Sequence, residues 1–417
     1  MILSNFGKKF SSCSGIYEVM EDLGQALAKG GDIVMMGGGN PAHIPEVEAV
    51  WRRRMQELMD EPGALEKLLG DYDTPRGRPG FLKALARFFN SVFGWGIDAD
   101  NIAITVGSQT ANFLLFNMFA GELGTTGAAG KIHFPLVPEY IGYADQGIGE
   151  GMFTAWKPDI EHLGPHRFKY RIRFDRLDPS VSMLCLSRPT NPSANLVTDA
   201  EISQLSDLAA QHGIPLLVDN AYGHPFPNIL FHPVETIWNE SIIHTFSLSK
   251  LGLPGTRTGI VVAEKEIIRR LGVMNGGLVL APGSLGQAIL EPLLSNGELL
   301  GLCHDHVQPF YQRRSQHALA LVDELFDDRI DYHVHVSEGA LFLWFWFRDL
   351  PISDRALYER LKARNVLVVP GSYFFPGLEE PWRHKQECIR VSYCGEENAV
   401  RRGLSILAEE IRQVYGL

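Results

Sequence analysis

The feature that most constrains the fold of this chain is a series of short apolar runs that alternate with helical patterns between residues 101 and 262. The runs are rich in Ile, Val and Leu, and a helical pattern from Asp199 to His212 lies between two of them. Short strands that alternate with helices are typical of a mostly parallel sheet covered on both faces. The sequence therefore predicts an α/β fold with strands at Asn101–Thr105, Lys131–Phe134, Ser182–Leu186, Ile214–Asp219, Ile242–Phe246 and Thr258–Val262.

The chain has 417 residues, which is more than one typical compact domain contains. After about Asn296 the pattern changes to a long helix followed by mixed strands and helices, which indicates a smaller α+β domain. The first 45 residues show no strand–helix rhythm. We expect an N-terminal arm and part of the small domain at 1–45, a large domain at 46–300, and a small C-terminal domain at 301–417.

Composition argues against several classes of protein. A net charge of −11 disfavours nucleic-acid binding, which needs clustered Lys and Arg. The five cysteines are odd in number and form no C-x-x-C pair, so a reducing compartment is favoured over a disulfide framework. The N-terminus lacks the apolar segment of a secretory signal, and the apolar run Leu341–Phe347 is too short to span a bilayer. We therefore expect a cytoplasmic protein that does not insert into membranes.

Polar residues follow several of the predicted strands. In open α/β sheets, ligands bind at the carboxyl ends of the strands. Taken singly, these residues have ordinary interpretations: a Gly-Ser turn caps a helix, Asn-Pro forms a turn, and an isolated Lys is usually solvated. The residues at the predicted strand ends are Ser108, Gln109, Asn191, Asp219, Tyr222, Ser247 and Lys250.

Together these residues make one chemical set. Hydroxyls at a helix N-terminus supply donors to a phosphate, and a carboxylate can pair with a pyridinium nitrogen. A Tyr and an Asn can donate to a phenolate oxygen, and a Lys amine can bond covalently to an aldehyde. These are the groups that a pyridoxal phosphate (PLP) site requires. The sequence therefore predicts PLP as the cofactor, with no metal.

Specific motifs also resemble a known family. The segment 247–259, SLSKLGLPGTRTG, resembles the lysine signature of the fold-type I aminotransferases, and Asp219 with Tyr222 resembles their Asp-x-x-Tyr motif. Arg390 resembles their carboxylate-binding arginine. The resemblance implies the PLP-dependent transferase fold of type I, with a mostly parallel seven-stranded sheet in its large domain. Segments 37–41, 138–144, 187–192 and 369–371 are similar to bacterial valine–pyruvate aminotransferases.

The resemblance assigns roles to individual residues. Lys250 would hold the cofactor and move a proton, Asp219 would keep its pyridine nitrogen protonated, and Tyr222 would bond its phenolate oxygen. Arg390 would bind the substrate carboxylate, and Gly39 would leave room for the substrate. The remaining implied contacts are Asn191 with the phenolate oxygen and substrate, Tyr140 with the ring face, Ser108, Gln109, Ser247 and Arg257 with the phosphate, Tyr72 across a homodimer interface, and Ile16 and Tyr17 as an apolar wall.

The same resemblance implies transamination between small apolar amino acids and 2-oxo acids, with valine and pyruvate as the expected pair. A PLP-dependent lyase or synthase on the same fold is an alternative, because such enzymes use the same Lys and Asp. A ligand-sensing regulator is a further alternative, although no basic helix-turn-helix segment precedes Gly37.

Three further features of the sequence each give a separate expectation. The family places Gly two residues after Asn-Pro, whereas this chain has Ala194, so we expect the local turn to differ slightly. Arg188 stands beside this turn and could approach the site. His333 and His335 would lie on one face of a strand, but no third metal ligand is suggested nearby.

Overall fold

The computed structural model describes residues 2–11, 15, 17–18, 21–22, 24, 33–124, 127–326 and 328–417. Its strands are β1 Val34–Met35, β2 Ile102–Val106, β3 Gly121–Leu123, β4 Ala128–Phe134, β5 Phe153–Ala155, β6 Asp159–His162, β7 Arg167–Arg171, β8 Val181–Ser187, β9 Leu216–Asp219, β10 Ile242–Ser247, β11 Thr258–Val262, β12 Tyr332–His335, β13 Phe342–Phe347, β14 Val366–Leu367, β15 Val369–Pro370 and β16 Cys388–Ser392. Its α-helices are α1 Asn5–Phe10, α2 Pro45–Asp60, α3 Ala64–Gly70, α4 Pro79–Phe93, α5 Gly107–Phe119, α6 Asp199–His212, α7 Lys265–Val279, α8 Leu285–Ser295, α9 Glu298–Leu302, α10 Gln308–Leu325, α11 Asp354–Ala363 and α12 Glu397–Tyr415.

The larger sheet has eight strands in the order β2-β11-β10-β9-β8-β4-β3, with β5 also paired to β4. Strands β10, β9, β8, β4 and β5 pair in parallel, whereas β11 runs antiparallel to both of its neighbours. The mostly parallel α/β sheet is therefore confirmed. It has one strand more than expected, because β3 pairs with the start of β4 while β5 pairs with its end.

Burial explains why the predicted strands form. Every residue of β9, β10 and β11 is buried, as expected for a sheet with helices on both faces. Helix α6 begins at a capping box in which the Thr198 and Glu201 side chains bond each other's backbone N–H groups. It ends at Gly213, whose φ of 62° suits the left-handed conformation of a C-cap.

A second sheet has six strands in the order β15-β16-β13-β12-β7-β6. Strand β7 joins it through parallel pairing with β12, in which Val334 lies opposite Arg167. Residues 159–171 therefore belong to this sheet, although the sequence placed them in the large domain at 46–300. Strand β1 also pairs with β14, which ties the N-terminal segment to the C-terminal part of the chain. Trp344 and Trp346 are buried in the core, as predicted.

In the part of the chain that the structure describes, no helix is long and apolar enough to cross a membrane. Within the same residues, no group of three or more His, Cys, Asp or Glu side chains is arranged to hold a metal ion. His335 instead bonds the backbone of Val336 and Tyr170, and His333 pairs with Asp331.

Candidate active site

A cavity of about 310 Å³ lies at the carboxyl ends of β2, β8, β9 and β10. The second sheet contributes Arg390 from β16, and the segment after β1 contributes Gly39. The structure thus brings together residues that are far apart in the sequence. The predicted site residues that line the cavity are Gly39, Ser108, Gln109, Tyr140, Asn191, Asp219, Tyr222, Ser247, Lys250, Arg257 and Arg390.

Asp219 lies at the end of β9 with only 5% of its surface exposed. Its Oδ2 accepts hydrogen bonds from Tyr143 Oη at 2.8 Å and Asn112 Nδ2 at 3.1 Å, and its Oδ1 accepts one from the Ala221 N–H at 3.1 Å. Burial raises the pKa of Asp219, and these hydrogen bonds oppose that shift. The carboxyl group is therefore fixed in orientation and suited to pair with a cationic ring nitrogen.

Two of these partners, Asn112 and Tyr143, were not predicted. Asn112 lies one helical turn after Ser108 on α5, so both side chains lie on the same side of the helix. Tyr143 lies within segment 138–144, whose similarity to the family was already apparent. Both residues also line the cavity. The helical spacing from Ser108 could have identified Asn112, and the similarity of segment 138–144 could have identified Tyr143.

Lys250 follows β10 in a short 3-10 turn, Ser249–Leu251. Its Nζ donates a hydrogen bond to the Gly39 carbonyl oxygen and lies 5.6 Å from the centre of the Tyr222 ring. Burial lowers the pKa of the Lys250 amine to about 8. A larger share of the amine is therefore neutral near neutral pH, which is the form that reacts as a nucleophile or base.

Arg390 is 5% exposed and is held from several sides. It donates 2.7 Å hydrogen bonds from Nη1 to Asn191 Oδ1 and from Nη2 to the Gly37 carbonyl oxygen. Its guanidinium carbon lies 4.1 Å from the centre of the Phe342 ring. Its buried Nε has no protein partner among the described residues. A buried guanidinium with unused donors is suited to bind a carboxylate.

The opposite end of the cavity can hold an anion. Ser108 and Gln109 begin α5, where backbone N–H groups and the helix dipole favour negative charge. Gly107 has a φ of 79°, and a Cβ at this position would collide with the Arg257 guanidinium. A Cβ on Gly259 would lie 2.5 Å from the Gly107 carbonyl carbon. Gly107 thus leaves room for the Arg257 guanidinium, and Gly259 lets β11 pack closely against the start of α5.

The remaining predicted residues fall into two groups. Asn191 and Tyr222 are buried in the cavity wall, and burial raises the pKa of Tyr140 to about 12. A Cβ on Gly39 would lie 3.7 Å from Lys250 Nζ, so a side chain there would reduce the space beside the amine. The predicted residues Tyr72, which is 84% exposed, and Tyr17, which is 55% exposed, do not line the cavity. Ile16 lies outside the described residues.

The prediction that the turn at Ala194 differs from that of the family is wrong. Ala194 has a φ of 61°, so the turn keeps the left-handed conformation that normally takes Gly. It is held there because the Ala194 N–H bonds the Thr190 carbonyl at 2.8 Å. Arg188 points away from the cavity, because its guanidinium bonds the carbonyls of Val197 and Glu235 at 2.8 Å each and pairs with Asp199.

These groups fit PLP. The cavity offers an amine, an oriented buried carboxyl, a buried arginine with a free donor, and an anion site at a helix N-terminus. Lys250, Asp219 and the residues around Arg257 would hold the cofactor's aldehyde carbon, pyridine nitrogen and phosphate, respectively.

Comparison with known proteins agrees with this chemistry. The profile of the family described as aminotransferase class I and II matches residues 39–407. Valine–pyruvate aminotransferase of Escherichia coli (strain K12) is 46% identical over 417 residues, covering 100% of this chain and 99% of that protein. Aromatic-amino-acid aminotransferase 1 of Thermococcus litoralis is 25% identical and covers 93% of this chain and 90% of its own length.

Solved structures of similar proteins are also aminotransferases. A putative amino-acid aminotransferase from Psychrobacter arcticum superposes with a TM-score of 0.96 at 40% identity, covering 100% of this chain and 99% of the other. A valine–pyruvate aminotransferase from Salmonella typhimurium has a TM-score of 0.88 at 44% identity, with 96% and 99% covered. This chain belongs to the class I and II aminotransferase family and is a PLP-dependent enzyme of the fold-type I group.

Proposed function

We propose that this enzyme transfers the amino group of valine to pyruvate and releases 2-oxoisovalerate and alanine. The observation that carries the proposal is the 46% identity to the Escherichia coli valine–pyruvate aminotransferase over the full length of this chain. The cavity supports it, because Arg257 and Arg390 are the arginines among the described residues that line it. With Arg257 placed at the phosphate, Arg390 serves the single carboxylate common to both substrates.

The cofactor supplies an electron sink for the substrate's α-carbon and carries the amino group between the two substrates. Arg390 orients the substrate through its carboxylate, and Asn191, which accepts a hydrogen bond from Arg390, keeps the guanidinium in place. Lys250 would take the proton from the substrate's α-carbon as a general base and then donate it, as a general acid, to the carbon that was the cofactor's aldehyde carbon. Asp219 stabilises positive charge on the ring nitrogen throughout.

The test is to measure kcat/KM for valine, alanine and aspartate with suitable oxo acids. Valine and alanine should be good donors, and 2-aminobutyrate should overlap with them, because an apolar pocket separates side chains differing by one methylene by only about 1–3 kcal/mol. Aspartate should be a poor donor, since its second carboxylate would be desolvated without a partner. A clear preference for aspartate would refute the proposed substrates and leave the aminotransferase activity intact.

We also propose a homodimer in which Tyr72 reaches the partner's cavity. Tyr72 does not line the cavity of its own chain, and large apolar side chains near it in sequence and on or directly after α7 are left exposed. A second copy would cover them. These exposed side chains are Leu69 (74%), Tyr72 (84%), Val273 (68%), Leu278 (58%) and Leu280 (56%).

Subunit mixing tests this arrangement. Tyr72→Ala and Lys250→Ala homodimers each carry the same defect in both sites, so each should be weak or inactive. Equal mixing and exchange should restore about a quarter of the sites, because half of the dimers are mixed and each has one intact site. If mixing restores no activity while exchange of labelled subunits is observed, Tyr72 does not act across the interface.

The proposed location is the cytoplasm. Cys185, Cys303, Cys388 and Cys394 are free thiols in the structure, as suits a reducing compartment. Fractionation of cells that express the native gene would test this placement.

A further inference from the structure

Glu139 is a fully buried acid directly behind residues that line the active-site cavity, and it has no part in the chemistry described above. It lies between β4 and Tyr140, with none of its surface exposed. Its Oε1 accepts a 2.7 Å hydrogen bond from the Ser187 N–H, and its Oε2 accepts one of 2.5 Å from Ser187 Oγ and one of 3.2 Å from the Tyr140 N–H. A buried carboxyl group is costly unless it is well paired, so this arrangement requires an explanation.

The contacts of Glu139 join three parts of the site. Tyr140 lines the cavity, and Ser187 is the last residue of β8, four residues before Asn191. The backbone N–H of Glu139 donates a 2.8 Å hydrogen bond to the Phe374 carbonyl oxygen. The Phe374 ring lies 5.1 Å from the Arg390 guanidinium. One residue therefore connects Tyr140, the loop that carries Asn191, and the segment that packs on Arg390.

We infer that Glu139 is a positioning residue of this aminotransferase, which acts by holding Tyr140 over the cofactor and in register with the end of β8. The inference rests on the proposed placement of the cofactor in the cavity. Tyr140 is the residue through which Glu139 acts, and Glu139 itself touches neither cofactor nor substrate.

Carboxylate chemistry explains why a glutamate occupies this position. Both oxygens of a carboxyl group can accept hydrogen bonds, and here they meet three donors. A glutamine would offer one acceptor oxygen and one NH₂ group, so one backbone N–H would face another donor. Burial and the nearby Asp219 raise the pKa of Glu139 to about 8, while the three donors oppose that rise. Near neutral pH the acid is therefore largely protonated, and its oxygens still accept from the backbone N–H groups of Ser187 and Tyr140.

The main test is Glu139→Gln, with Glu387→Gln as a matched control. Glu387 is also a buried acid that accepts bonds from the Asp349 N–H and the Trp346 side chain, and it pairs with Arg383 at 2.9 Å. Unlike the partners of Glu139, none of these residues lines the cavity. Glu139→Gln should retain PLP, alter the visible circular dichroism of the bound cofactor, and lower kcat/KM by about tenfold or more, because a misplaced group of about 1 Å can cost up to 100-fold. Glu387→Gln should change thermal stability alone.

A double-mutant cycle with Tyr140→Ala shows whether Glu139 acts through Tyr140. In the Tyr140→Ala background, Glu139→Gln should lower kcat/KM by less than about threefold, since coupled residues are not additive. Fully additive losses would refute the inference, as would an unchanged dichroism spectrum with kcat/KM within about twofold of wild type. If Glu139→Gln does not fold, Ser187→Ala removes one donor to the same carboxylate and should change the spectrum in the same direction; an unchanged spectrum overturns the inference.

The assay uses whichever amino acid the wild-type enzyme converts fastest. A clear preference for aspartate would refute the proposed substrates without affecting the test of Glu139. Conversely, additive effects in the cycle would reject the role of Glu139 and leave the proposed substrates standing.

Discussion

Replacing Arg390 with Ala is the sharpest test of the substrate site. Arg390 is 5% exposed, and two of its five N–H groups donate hydrogen bonds to Asn191 and the Gly37 carbonyl. The Nε–H and the second N–H of each terminal nitrogen are left to bind a ligand. Losing one partner of a buried charge pair costs about 2–5 kcal/mol. At about 1.4 kcal/mol per tenfold, affinity for both amino acid and oxo acid should fall by roughly 30-fold to a few thousand-fold.

Stopped-flow half-reactions that follow the cofactor's absorbance measure this loss for each substrate separately, and equilibrium dialysis measures PLP affinity. PLP affinity should change little, because Arg257 and the start of α5 serve the phosphate end. Arg188→Ala is the matched control: Arg188 is also 5% exposed and beside the cavity, but its guanidinium bonds Val197 and Glu235. It should lower stability and leave substrate affinity near wild type. Equal losses of PLP and substrate affinity in Arg390→Ala would refute this division of roles.

Three other substitutions test the rest of the site. Lys250→Ala should abolish turnover and the absorbance of lysine-bound cofactor while some PLP is retained at the phosphate end; an unchanged spectrum would assign the cofactor to another lysine. Asp219→Asn should fold but lose most activity at removal of the α-proton, and near-normal single-turnover rates would make Asp219 merely structural. Ala194→Gly should change the free energy of unfolding by less than about 1 kcal/mol. Removing the left-handed strain stabilises the fold by about 1–2 kcal/mol. Two losses offset that gain: a buried methyl group (about 0.8 kcal/mol) and the greater flexibility of the unfolded chain (about 0.4–1 kcal/mol). Urea titration checks this, and a gain above about 2 kcal/mol would contradict it.

The predicted strands were confirmed because their signal is local. A strand buried on both faces must be apolar along its length, as β9 to β11 are, and such runs are readable in a single sequence. The cavity followed from the same reasoning, since polar residues after parallel strands must collect at one edge of the sheet. Asp219 and Lys250 are 31 positions apart in the sequence, and both line the cavity because β9 and β10 are parallel neighbours.

The pairing of strands that are far apart in the chain could not be predicted in the same way. Strand β7 alternates charged and aromatic residues, and nothing in its own sequence shows that it pairs with β12 more than 150 residues later. Glu139 was missed for a related reason: an acid in a loop is usually solvated, and its burial depends on Ser187 and Phe374 from distant segments. At Ala194 the sequence predicted a changed turn, whereas the structure keeps the left-handed turn. A hydrogen bond to Thr190 holds this turn although the alanine side chain disfavours it.

The charges in the cavity indicate which residues react and which position others. Arg390 is buried with an unpartnered Nε, so its charge is incompletely matched until a substrate carboxylate arrives. Asp219 has its lone pairs only partly used by Tyr143 and Asn112, which leaves it able to pair with a ring cation. Glu139 differs, because three protein donors already satisfy it and it does not line the cavity. A buried acid whose oxygens are already satisfied by the protein offers no free group to a ligand, so we place its function in the residues that it holds.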